Sequence, residues 1–295
     1  MQVQEPVSSQ LKMRPGRPED AEELGKICYA AFDSISKKHG YTCDFQNLEA
    51  ATRGIHYLLS HPEFFYSVVA ENRGKLVGSN FLHEWNPVTG VGPITVDPTI
   101  QNKNVGRELM LNVIRRSNAK GAPGTRLVQA AYHMRSLSLY TKLGFETRET
   151  LSNFQWASSI RNKIRGRTVR KATESDLEEC NILCGKIHGH HRGGELSEAT
   201  KNGNGLVVRN EDRITGYSTG LGWFGHSVGE SNEDIMALIS DSDSFGYPGI
   251  LVPSRNFGLM RWLLDNGLRI NQQMTLMTIG LYNEPRGAYL PSVIY

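Results

Sequence analysis

The chain has 295 residues, 39% of them hydrophobic and 21% charged, with a formal net charge of +3 and a pI near 8.6. That charge is too mild to argue for nucleic-acid or membrane-surface partners, and no apolar run approaches the ~20 residues that a bilayer span requires. The length suits two domains of ordinary size, and the composition is that of a globular chain able to bury cores.

Read in chain order, hydrophobic periodicity predicts a strand at 12–17, helices at 19–32 and 45–60, and strands at 65–71, 75–84 and 91–96. A helix at 106–120, a strand at 126–131, a helix at 136–143 and a final strand pair within 145–156 follow. The first residues, Met1 to Pro6, lack the basic-then-apolar pattern of a secretory signal. The four cysteines, Cys28, Cys43, Cys180 and Cys184, are sparse for a disulfide framework. A cytoplasmic chain with reduced thiols is expected. Cys180 and Cys184 lie four apart on one helix face and read as small buried hydrophobes.

The segment Val96 to Met110 carries the most chemistry. An apolar strand, Val91 to Val96, runs into Gln101-Asn102-Lys103-Asn104-Val105-Gly106-Arg107, after which Leu109, Val113 and Ile114 share a helical face. The first turn of a helix has N–H groups without intrahelical partners, and the macrodipole adds partial positive charge there. Gly106 permits close approach of a ligand, Lys103 and Arg107 add cations, and the whole suits a diphosphate. A second motif, Tyr140-Thr141-Lys142-Leu143-Gly144-Phe145, follows the strand-like Leu127 to Ala131, with Gly144 placed as a helix C-cap.

Together these two motifs resemble the acyl-CoA signature of the GNAT superfamily of N-acetyltransferases, over roughly residues 12–155. Gln101, Asn104 and Gly106 fill the fixed places of its Gln/Arg-x-x-Gly-x-Gly/Ala loop, with Asn104 where the family usually has Gly. Asn tolerates the left-handed backbone better than most residues. His133 stands where the family usually has Asn, seven residues before Tyr140.

The resemblance implies an α+β fold with a mixed, mostly antiparallel sheet, and acetyl-CoA as cofactor. It places pantetheine against Ile94, Thr95 and Val96, and the diphosphate against the backbone of Asn102, Lys103, Asn104, Val105, Gly106 and Arg107. Gln101, His133 and Tyr140 complete the expected cofactor site. The resemblance also implies direct attack by a primary amine on the thioester, with the N–H of Val96 as oxyanion donor and Tyr140 as general acid for the sulfur. The other reading of Tyr140 is a core tyrosine. His133 lines the cleft or serves as a hydrogen-bonded structural histidine. Glu84 is the expected base. His83 precedes it, and strand alternation sends the two side chains to opposite faces; the alternative is that no single base exists. The acceptor is a small molecule or a peptide amine, its identity and the oligomeric state not being legible. The competing class is a non-catalytic acyl-CoA-binding or regulatory module.

A divergent repeat extends this reading. Arg14, Asp20, Glu22 and Cys28 recur 156 positions on as Arg170, Asp176, Glu178 and Cys184. Further along, Gly144 corresponds to Gly267, 123 positions on. The chain thus resembles proteins with two tandem GNAT folds, with a catalytic domain at 12–156, a polar linker at 157–167 and a degenerate copy at 168–295. That copy lacks the Gly-bearing loop, carries Glu230, Glu233 and Asp234 in the comparable region, and has Leu263 in place of Tyr140. It shapes the acceptor groove or acts as a purely structural partner. His188-Gly189-His190-His191 reads as a mobile loop, and no metal is expected.

Overall fold

The computed structural model describes residues 11–100, 104–155, 160 and 162–294. The first half runs β1 (Leu11–Arg14), α1 (Ala21–Lys38), α2 (Leu48–Ser60), β2 (Phe65–Asn72), β3 (Lys75–His83), β4 (Thr89–Val91), β5 (Thr95–Val96), α3 (Val105–Ala119), β6 (Gly124–Ala130), α4 (Met134–Lys142) and β7 (Glu146–Gln155). The second half repeats that order. It has β8 (Thr168–Lys171), α5 (Leu177–His188), α6 (Gly193–Lys201), β9 (Leu206–Asn210), β10 (Arg213–Ser218) and β11 (Ser227–Gly229). Then come α7 (Asn232–Asp241), β12 (Ile250–Pro253), α8 (Phe257–Asp265), β13 (Arg269–Gly280) and one extra strand, β14 (Ala288–Leu290).

Local sequence explains the layers. Leu24, Ile27 and Cys28 on α1, and Ile55, Leu58 and Leu59 on α2, recur at i, i+3, i+4 and are buried against Phe65, Val69 and Phe81. Strand alternation sends Val68, Ala70 and Leu82 to the opposite face, where Val105, Leu109 and Val113 of α3 cover them. Helices therefore pack on both faces of the first sheet.

The repeat is visible in its bonds. Arg14 pairs with both oxygens of Asp20 at 2.8 and 2.9 Å, and Arg170 with both oxygens of Asp176 at 2.7 Å. Gly144 and Gly267 both take positive φ, 95° and 85°, after α4 and α8. Phe145 N donates to Tyr140 O and Leu268 N to Leu263 O, each at 3.0 Å, so both helices stop the same way.

The halves are not separate domains side by side. Among the described residues the larger sheet runs β1-β2-β3-β4-β6-β13-β7-β12, with β5 beside β3. Within that sheet, among the described strands, β4 and β6 alone pair in parallel. The strand pair expected within 145–156 is one strand, β7, whose neighbours β13 and β12 both come from the second half. The strand expected at 91–96 is interrupted between β4 and β5, at Gly92–Pro93. Ile160 and Arg167, expected in a polar linker, are fastened to the second half: Ile160 is buried in its core, and Arg167 Nε donates to Asp234 Oδ1 at 2.6 Å.

The exchange obeys a local two-fold axis. On the 123-residue offset, β12 corresponds to β6 and β13 to β7. Gln155 pairs with Arg269 and Glu146 with Thr278, the same pair with roles reversed. Leu151 pairs with Met274, its own counterpart. Flanking strands follow, Ala130 pairing with Met274 and Pro253 with Leu151. The interface is isologous, as between subunits of a symmetric dimer, but within one chain.

Candidate active site

The site begins where two strands part. β4 pairs with β6 through Thr89–Thr125 and Gly90–Arg126. Beyond that point β5 pairs only with β3, through Ser79–Thr95 and Gly78–Val96, and a cleft opens toward β6. Asp97 N donates to Val77 O at 2.9 Å, so ladder alternation directs the peptide groups of Val96 away from β3, toward the cleft. The cleft belongs to a cavity of about 1040 Å³ bounded by both halves. Ile94, Thr95, Val96, Asn104, Val105, Gly106, Arg107, His133 and Tyr140 all line it. Gln101, Asn102 and Lys103 lie outside the described residues.

Asn104 adopts the left-handed conformation, φ 63° and ψ 0°, immediately before α3, as the motif requires of this position. Its side chain makes no cap, which leaves the first N–H groups of α3 to another acceptor. A Cβ placed on Gly106 would meet nothing nearer than Val96 Cγ2 at 3.7 Å and Leu139 Cδ2 at 3.8 Å. These are ordinary van der Waals distances, so steric exclusion of a Cβ is not what selects glycine here.

His133 caps α4: its Nδ1 accepts from Ser136 N at 3.0 Å. Burial lowers its ring to about 4, so it is neutral at pH 7. Asn256 does the same work for α8, accepting from Leu259 N. Tyr140 is buried beside Phe145, and burial pushes its phenol up to about 12, against a smaller opposing effect of Ser136. It therefore holds its proton at neutral pH.

Glu84, expected as the base, is elsewhere. Its carboxylate accepts from Arg116 Nε at 2.8 Å, Arg116 Nη2 at 3.0 Å and Lys120 Nζ at 2.8 Å, and it does not line the cavity. Burial works to raise this carboxyl, but Arg116 and Lys120 prevail and hold it below the usual range. Strand alternation sends His83 into the cavity instead. The sequence reading also missed Asp44, which lines the cavity between α1 and α2, accepts from Gln272 Nε2 at 3.2 Å, and is raised by burial to about 6. Gln129, Trp223 and Phe224 line the cavity too. No motif or periodicity marks them.

Residues 29–145 match the family model of the Acetyltransferase (GNAT) family. The chain carries a GNAT acetyltransferase domain. Acetyl-CoA is the acyl donor of this family. Among solved structures, a provisionally assigned acetyltransferase from Pyrococcus horikoshii is 15% identical, with 97% of this chain and 93% of that chain covered and a TM-score of 0.72. A GCN5-related N-acetyltransferase from Sphaerobacter thermophilus is 13% identical, with 93% and 97% covered and a TM-score of 0.61. Both share the fold over nearly their whole length. No functionally curated protein matches this sequence.

Outside the GNAT domain, the comparable cleft of the second half is filled. β14 lies along β11, pairing Ser227 with Leu290, Val228 with Tyr289 and Gly229 with Ala288. The start of α7 is closed as well, since Asp234 accepts from Ser231 N at 2.9 Å. Two of the three carboxylates there are paired with cations. Glu230 pairs with Arg213 at 2.7 Å and Lys186 at 3.0 Å, and buried Asp234 accepts from Arg167 and Thr215, each at 2.6 Å. Occupation by the chain itself, rather than repulsion, is what closes this copy. Leu263, the counterpart of Tyr140, is wholly buried core. His188 packs against His226 and Tyr289 in the interior, not in an exposed loop.

Proposed function

We propose that the chain transfers the acetyl group of acetyl-CoA to a primary amine that carries a bulky apolar body, using one cofactor per chain. The cavity supports this reading: it joins the β5–β6 cleft to aromatic walls from both halves, with Phe65 and Trp85 from the first and Trp223 and Phe224 from the second. Val293 and Ile294 reach the same cavity, held by Val293 N donating to Trp223 O at 2.6 Å. A small hydrophilic amine would leave most of that apolar surface wet, whereas an arylalkyl or long alkyl amine covers it.

In this reading the cofactor supplies a thioester, and the chain's residues hold and complete it. The peptide groups of Val96 take pantetheine, with the N–H directed at the carbonyl oxygen as it gains charge. Asn104, Val105, Gly106 and Arg107 take the diphosphate. Tyr140 gives its proton to the departing sulfur. The second half, 168–295, serves as a degenerate copy that walls the acceptor groove. Four unpaired cysteines fit a reducing, cytoplasmic setting.

A thiol-release assay with acetyl-CoA across an amine library tests this. Arylalkyl and long-chain alkyl amines should give the highest kcat/KM, well above polyamines and free amino acids. Tight CoA binding with no thiol release from any amine would make the chain a binding module instead.

A further inference from the structure

We propose that His83 is the base of this reaction, taking the acceptor's proton at Nδ1; the inference rests on the amine-transfer reading above. His83 closes β3 with 2% exposure, and its Nε2 lies 2.7 Å from Gly92 O. A carbonyl oxygen only accepts, so Nε2 carries the ring hydrogen and donates it. Nδ1 is then a lone pair. It has no hydrogen-bond partner, although the ring borders the cavity. Leaving a buried acceptor unpaired is unfavourable. An N–H group entering the cavity relieves it.

Placement separates His83 from the other candidates. The bond to Gly92 ties the ring to the stretch leading into β5, two residues before Ile94, which is where the acyl chain is expected. Asp44 sits on the loop between α1 and α2 with its carboxylate engaged by Gln272, and Glu84 faces outward onto Arg116 and Lys120. The rings of Phe65 and Trp85 pack beside His83, at 4.9 and 6.4 Å. Burial first, and the charge of Arg192 after it, lower the imidazole to about 4 against the opposing bond to Gly92. Arg192 is itself paired with Glu195 at 2.5 Å. The ring is therefore unprotonated at neutral pH, and its lone pair at Nδ1 is available.

The step balances. The amine nitrogen forms the C–N bond to the acetyl carbon as the C–S bond breaks. The nitrogen's proton passes to Nδ1 of His83, and the thiolate takes a proton from the Tyr140 hydroxyl. Water then returns the proton from His83 to Tyr140.

His83→Gln keeps a donor for Gly92 O and removes the base. We expect kcat to fall by about a hundredfold or more, with the CoA dissociation constant measured by calorimetry within about threefold of wild type. His83→Ala supplied with imidazoles of graded basicity should recover turnover in proportion to their basicity, whereas a ring that merely fills space would rescue equally well across the series. In the wild-type chain, nitrogen NMR of labelled histidines should show an unprotonated imidazole nitrogen shifting when the acceptor joins the CoA complex. An active His83→Gln variant within twofold of wild type, a flat rescue series, or an Asp44→Asn variant that alone abolishes turnover would overturn the assignment. Absence of turnover by wild type with any amine would fail the proposed function itself, a separate outcome.

Discussion

Replacing Gly106 by Glu tests the cofactor site most directly, because folding and binding should respond in opposite ways. A Cβ here would sit at ordinary van der Waals distance from its nearest neighbours, 3.7 and 3.8 Å, so the fold has no steric reason to resist it. Loss of a helical glycine favours the helix by up to about 1 kcal/mol, and the melting temperature should hold or rise. Binding should suffer. Like unit charges about 6 Å apart at an effective dielectric constant of about 20 repel by about 3 kcal/mol. The loop is partly exposed, and solvent and salt reduce that figure. A loss of at least about 1.4 kcal/mol remains, which is tenfold in affinity. Calorimetry with CoA at low salt measures it. Gly106→Ala should fall between the wild-type and Glu chains, and 1 M salt should narrow the gap, since the screening length shrinks to about 3 Å. A Gly106→Glu chain that melts like wild type and binds CoA unchanged would remove the diphosphate from α3 and with it the site described here.

Tyr140→Phe should keep CoA affinity and lose about a hundredfold or more in kcat by the thiol-release assay; a change within twofold would make Tyr140 a core residue and water the proton donor. Glu84→Gln should leave kcat within twofold and cost about 1–2 kcal/mol in denaturant unfolding, since it loosens contacts to Arg116 and Lys120 away from the cavity. A hundredfold loss of turnover would return Glu84 to the chemistry. Stability should fall on acidification below about pH 6.5: burial keeps His188 and His226 neutral in the folded chain, with both ring nitrogens of each unpartnered, while the unfolded chain takes up protons there. The sign is that of a lowered folded-state pKa, with stability full above about 6.5 and lost as pH falls; melting temperatures between pH 7.5 and 5 should show it, and His226→Phe should flatten the slope.

Much of the site was legible because its parts are local. Asn104, Gly106, Gly144 and Tyr140 have meaning within a turn or two of chain, where backbone geometry and capping restrict residue choice. The repeat was legible for the same reason, since the Arg14–Asp20 and Arg170–Asp176 pairs close over six residues. What failed was non-local. Alternation says that Glu84 and His83 face opposite ways, but not which way is inward. The answer lies with Arg116 and Lys120, more than 30 residues on. Residues 146–155 read as strand from composition, yet a strand does not name its neighbour, and the partners chosen, β12 and β13, lie about a hundred residues away. The cavity walls from Trp223, Phe224 and Val293 follow from that pairing, so they were illegible in turn.

The two-fold sheet also sets a timetable. While the chain is being made, β6 and β7 emerge with the place between them vacant, because β13 starts at residue 269. At about 5–20 residues per second, translation of the intervening stretch takes on the order of 10 s. Through that interval the nascent first half presents two raw strand edges, one on each side of the place that β13 will take, and such edges template pairing with other chains. Neighbouring copies on one messenger would offer one another β7 before their own β13 arrived. The halves expressed apart should therefore seek each other out.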